Sequence, residues 1–148
     1  MEIYQILRKD HKKLKELANI ITGTTERADQ KRERLFHELK VELEAHSRLE
    51  EELFYEELKR KEKSRHATLK AIEEHLVITL LLNELDKLPC NTEQWTAKFG
   101  VLKENLFRHI DVEEGELFKL ARAIFKEAKA EELGNTMAYR KEEMLAVL

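Results

Sequence analysis

A single cysteine, a single proline and four glycines in 148 residues rule out several kinds of structure. With Cys90 alone, no internal disulfide can close and no thiolate cluster of the zinc-finger kind can form. Few prolines and glycines, with many Glu, Lys and Leu, favour long helices over sheet. The longest apolar run, around Leu80-Leu81-Leu82, falls far short of a membrane span. No basic block stands out. The 27 Lys and Arg are nearly matched by 30 Asp and Glu, for a formal charge of -3, so neither nucleic acid nor membrane is expected as a partner. The N-terminus meets Arg8 and Asp10 before any useful apolar segment, unlike a secretory leader, and a cytoplasmic protein is expected. The length suits one domain over 1–148 with a sizeable core.

Apolar residues recur at helical spacing along most of the chain. Ile3, Leu7, Leu14, Leu17 and Ile21 mark a first helix over about 3–21, ended by Thr22-Gly23-Thr24-Thr25. A second helix is predicted to start between Glu26 and Asp29 and to run to about Lys61. Its inner face carries Leu35, Leu39, Glu42, His46, Leu49, Glu50, Leu53 and Glu57. A third should run from about Arg65 to Lys87 with Ser64 as cap, stopped by Pro89. A fourth is expected from Glu93 to about Lys129, through Gly100 and Gly115. A short fifth helix after Ala130 would cover the bundle end over about 130–148, its course interrupted at Gly134-Asn135-Thr136. The fold class is all-α, an up-down-up-down four-helix bundle over about 3–129 with this C-terminal extension.

Within this pattern His46-Ser47-Arg48-Leu49-Glu50 is echoed by His109-Ile110-Asp111-Val112-Glu113. Each puts an imidazole and a carboxylate one helical turn apart on the same face, among residues that should face a core. His11 and His75 lie on the inner stripes of the other two helices. In an antiparallel bundle, groups at equal height straddle the intervening turn symmetrically. The midpoints of the pairs His11/His46, His46/His75 and His75/His109 fall at or near the three expected turns. Four histidines, one per helix, can therefore share one layer. His37 and His66 lie nine residues before His46 and His75, about a half-turn of rotation away, and should face solvent.

Buried carboxylates need compensation. Four imidazoles and two carboxylates exceed what one tetrahedral zinc needs, and they divide naturally between two ions. Imidazole with carboxylate suits iron or manganese, and the lack of thiols disfavours copper(I) and iron–sulfur clusters. The expected metal ligands are His11, His46, Glu50, His75, His109 and Glu113. The two glutamates would bridge, and open positions would remain for an oxo or hydroxo bridge and a small ligand. Manganese or zinc are possible substitutes for two irons.

The ordered set Asp10-His11, His46-x-x-x-Glu50, Glu74-His75 and His109-x-x-x-Glu113 resembles the hemerythrin-like, or HHE cation-binding, domain family, from His11 to beyond Glu113. The resemblance implies a bundle holding a non-heme di-iron centre that binds dioxygen, or acts in oxygen sensing, iron handling, or nitric-oxide and peroxide responses. The oxygen-carrying branch has a second His four residues before its third-helix ligand. Here that position is Ala71, which cannot ligate. That branch also has an Asp five residues after its last-helix His. Here Glu113 stands at four and Glu114 at five, and Glu113 repeats the His46–Glu50 relation. The reading is a di-iron protein binding or sensing dioxygen or another small diatomic molecule. An enzyme detoxifying peroxide or nitric oxide, an iron-handling protein and a metal-free interaction module are the alternatives. Tyr55, five residues past Glu50, reads as off the ligand stripe. Trp95 reads as a helix-end anchor, Asp86 as a cap or salt-bridge partner, and Cys90 as a plain free thiol.

Overall fold

Residues 1–147 are described by a computed structural model. Among them there are five helices and no strand. Helix α1 is Ile3–Thr22. Helix α2 is α-helical over Asp29–Leu49, π-helical over Glu50–Tyr55 and closes with a turn over Glu56–Leu58. Helix α3 is Glu62–Lys87. Helix α4 is α-helical over Glu93–Val112, π-helical over Glu113–Leu117 and α-helical again over Phe118–Ile124. Helix α5 is Glu127–Ala146. Leu148, within the expected extension, lies outside the described residues.

The boundaries have local causes. Glu2 donates its backbone N–H to the Gln5 side chain at 3.0 Å and opens α1. Thr92 caps α4 by accepting from the Trp95 N–H at 3.2 Å. Ser64 is not the cap of α3, which begins earlier at Glu62. Its hydroxyl instead donates to the Leu58 carbonyl, satisfying the frayed end of α2. Helix α4 ends five residues before the expected point, because Phe125 turns to extended backbone.

Helix α5 is longer than expected and runs straight through Gly134. That glycine is where α5 crosses the start of α1: a Cβ there would run into the Met1 carbonyl oxygen and lie 2.7 Å from Ile3 N. The absent side chain permits close packing of α5 on α1 and α2.

Two apolar clusters fill the bundle. One, at the end with the α1–α2 and α3–α4 turns, includes Leu14, Leu39, Leu82, Phe99 and Leu106. Arg32 staples it: buried over the Trp95 ring at 4.8 Å, it donates to the Thr24 and Cys90 carbonyls and the Thr96 hydroxyl. The other includes Tyr4, Leu7, Phe54, Leu58 and Phe118 and is covered by Leu133 and Met137 of α5. Between them lies a layer of buried polar side chains. Asp86 forms the expected salt bridge, with Lys40 at 2.7 Å, and among the described residues no helix is long and apolar enough to cross a membrane.

Candidate metal centre

All six expected ligands are buried and converge on that layer. His11, His46, Glu50 and Glu113 offer one atom each within 4.8 Å of one another, and so do Glu50, His75, His109 and Glu113. The two glutamates belong to both groups. His11 Nε2 lies 3.1 Å from Glu113 Oε1, and His75 Nε2 lies 3.1 Å from Glu50 Oε1. The Nε2 atoms of His75 and His109 are 3.0 Å apart. That is about the separation of two nitrogens held at right angles on one metal at roughly 2.1 Å.

Four atoms at this layer, His11 Nε2, both Glu50 oxygens and Glu113 Oε1, are buried without a hydrogen-bond partner. Buried polar atoms are nearly always satisfied, and a carboxylate left so costs several kcal/mol by rough measure. Buried lone pairs converging on common centres, once the imidazoles give up their protons, are what a cation site requires.

The outward nitrogen of each imidazole meets a second carboxylate. The Nδ1–H groups donate from His11 to Glu114 at 2.6 Å, from His46 to Asp10 at 2.8 Å, from His75 to Glu51 at 3.0 Å and from His109 to Glu74 at 2.8 Å. This fixes the tautomer that turns Nε2 inward. It also separates Glu113 from Glu114: the first points into the layer, the second supports His11 from outside.

The arrangement repeats. Residue for residue, Asp10-His11 on α1 corresponds to Glu74-His75 on α3, and His46 to Glu51 on α2 corresponds to His109 to Glu114 on α4. Each half's acidic residue before its first His holds the second His of the same half. Each half's Glu after the bridging Glu holds the first His of the other half.

Tyr55 departs from the expectation made for it. It is fully buried at the site. Its hydroxyl donates to Glu113 Oε2 and lies 3.3 Å from His109 Nε2 and 3.4 Å from His75 Nε2. The cause is the π-helical stretch that begins at Glu50. Along an α-helix a residue five positions on is rotated by about 140°. A π turn, closed by i→i+5 bonds, takes in one more residue and returns Tyr55 to the ligand face. At the matching place on α4 stands Phe118, parallel to the His11 ring with centroids 6.5 Å apart. The pair of metal positions is therefore unsymmetrical: one faces a phenol, the other a hydrocarbon ring.

The charges are strongly coupled. Burial opposes the protonated imidazoles, but Glu50 and Asp10 outweigh it and hold His46 at about 9. In the same way, against burial, Glu50 and Glu51 hold His75 at about 9, and Glu113 and Glu74 hold His109 at about 10. Burial would raise the Glu50 carboxyl, yet the neighbouring imidazoles keep it well below the usual range. Burial, then the charges of Glu113 and Glu50, push the Tyr55 phenol well above its ordinary value.

His37 is exposed, as expected. His66 is exposed too, but it stands at the mouth of a cleft leading to His109. Sequence spacing did not reveal the four outer carboxylates as partners, although two of them, Asp10 and Glu74, directly precede ligand-stripe histidines.

A helical bundle that gathers two overlapping His2Glu2 clusters in its interior is a cation-binding bundle. The chain belongs to the hemerythrin family: the family model of the Hemerythrin HHE cation binding domain matches residues 2–121. Among similar proteins are uncharacterized proteins of Mycobacterium tuberculosis and Mycobacterium bovis, each 30% identical over 148 aligned residues that span 97% of this chain and 88% of the relative. The crystal structure of a hemerythrin HHE cation-binding domain-containing protein from Mycobacterium kansasii superposes with a TM-score of 0.85 at 28% identity, covering 97% of this chain and 87% of that one.

Proposed function

We propose that this protein is a non-heme di-iron protein that binds or senses dioxygen or another small diatomic ligand in the cytoplasm. The observation that carries the reading is the set of partnerless buried lone pairs on His11, Glu50 and Glu113, shared between two adjoining clusters. His11 and His46 would hold one ion and His75 and His109 the other, with Glu50 and Glu113 available to both. The four outer carboxylates keep each Nε2 turned inward, and the apolar clusters above and below exclude bulk water. Bound iron would supply reversible electron transfer and open coordination positions for the ligand. Manganese or zinc would fit the same donors.

Tyr55 favours a second reading, an enzyme acting on peroxide or nitric oxide, because its buried hydroxyl places a proton donor beside the second ion position. Many product equivalents per iron pair would select the enzyme, and stoichiometric reaction alone would select the binding protein.

Anaerobic ferrous titration followed by Mössbauer spectroscopy tests the site. Two coupled irons per chain are expected for wild type, for His37→Ala and for Glu114→Gln, and loss of the coupled pair for Glu50→Gln and Glu113→Gln. A coupled pair that survives both bridging substitutions, or less than one iron in wild type, overturns the proposal.

A further inference from the structure

Between α3 and α4 a cleft of about 120 Å³ runs from the surface to His109 and Glu113. Its α3 wall is made by Ala67 and Ala71, one turn apart, with Lys70, Glu74 and Glu116 around it. Two larger grooves, of about 330 and 390 Å³, have no candidate ligand in their walls. The alanines give this cleft its depth. The internal repeat that carries His11 onto His75 also carries Leu7 onto Ala71 and Ile3 onto Ala67. Leu7 and Ile3 are fully buried, so the corresponding space in the first half is packed with hydrocarbon.

Resting on the di-iron reading, we propose that this cleft is the entry route for an uncharged ligand of two or three heavy atoms to the ion position at His75 and His109. Ala71 is the residue that sets what passes. Size supports the limit: at about 30 Å³ per water, the cleft holds roughly four water-sized groups, well below a cofactor pocket. Charge supports the neutrality. Two carboxylates, Glu74 and Glu116, outnumber the one ammonium, Lys70, with His66 at the mouth, so the walls favour a neutral ligand over a small anion. Beside the same ion position stands the Tyr55 hydroxyl. An arriving molecule therefore meets a hydroxyl group at the end of the path.

The test uses the iron-loaded full chain with nitric oxide as the uncharged probe and azide as the anionic one. Metal content is measured on the same samples. Ala71→Leu places in the second half the residue that closes the first, and Ala67→Leu narrows the cleft nearer its mouth. With two irons retained, nitric-oxide association followed by stopped-flow absorption should slow roughly tenfold or more in Ala71→Leu and by a smaller factor in Ala67→Leu. Glu116→Gln should speed azide binding and leave nitric oxide unchanged. Wild-type nitric-oxide rates in both leucine variants, at full metal content, overturn the entry route while leaving the di-iron reading intact. An unchanged azide rate in Glu116→Gln overturns the selection for neutral ligands. A wild-type chain that takes up no iron overturns both.

Discussion

Metal uptake by this site should expel protons, and the number can be worked out. With His46 and His75 at about 9 and His109 at about 10, these imidazoles are charged at neutral pH in the metal-free protein, and His11 is raised in the same direction. A metal needs the neutral imidazole, so an ion at His75 and His109 displaces two protons and an ion at His11 and His46 at least the one on His46. At pH 7, removing the proton costs about 3 kcal/mol at His46 or His75 and about 4 kcal/mol at His109. Between pH 6 and 8 affinity should therefore rise by up to about 100-fold per pH unit for the ion at His75 and His109, and by about tenfold or more for the ion at His11 and His46. The stability of the metal-free fold runs the other way. A raised imidazole stabilises fully below its unfolded value of about 6.5, and that contribution is lost as pH rises through 9 to 10. Thermal denaturation should show the metal-free protein weakening from pH 6.5 to 10 and the gap to the loaded protein widening. Manganese titration by calorimetry, in two buffers of different ionisation enthalpy, counts the protons directly. Heats independent of buffer, with affinity flat from pH 6 to 8, would refute the picture of charged imidazoles balanced by buried carboxylates.

Tyr55→Phe should keep both ions but slow any turnover of peroxide or nitric oxide by roughly 100-fold, through loss of the buried proton donor; wild-type turnover in the variant, at full metal content, would exclude Tyr55 as that donor. Gly134→Ala should destabilise by about 1–3 kcal/mol, since its Cβ meets the Met1–Ile3 backbone and overpacking outweighs the gain in helix propensity; a higher melting temperature would show that the α1–α5 crossing yields freely. Lys141 holds Asp10 at 2.6 Å and Glu42 at 3.1 Å from α5. Lys141→Met should therefore cost about 1–3 kcal/mol and hasten metal loss to a chelator through the freed Asp10–His46 pair. Unchanged chelation kinetics would separate α5 from the metal layer.

Much of this was legible in the sequence because it depends on period. Leu7, Leu14, Leu39, Leu82 and Leu106 recur at helical spacing, and the turn midpoints place the four histidines at one height. Tyr55 was not legible, because its position depends on a one-residue widening of the turn after Glu50 that the side-chain pattern does not announce. The course of α5 was not legible either. Gly134 reads locally as a break, and only its crossing with Met1–Ile3 explains it as a contact. The outer carboxylates lie in ordinary charged helix faces, and what distinguishes Glu51 from Glu52 is that its partner on another helix is His75, whereas that of Glu52 is Arg140.

The internal repeat has a consequence for symmetry. Each hairpin, 3–58 and 62–124, carries half of a ring that closes only against another of its kind. Two identical hairpins related by a half-turn would complete the same ring of four imidazoles and two shared carboxylates. The chain thus has the form of two linked copies of one hairpin unit. One half has Leu7 and the cover of α5; the other has Ala71 and an open flank. A near-symmetrical ring therefore sits in a shell that is closed on one side and cleft on the other.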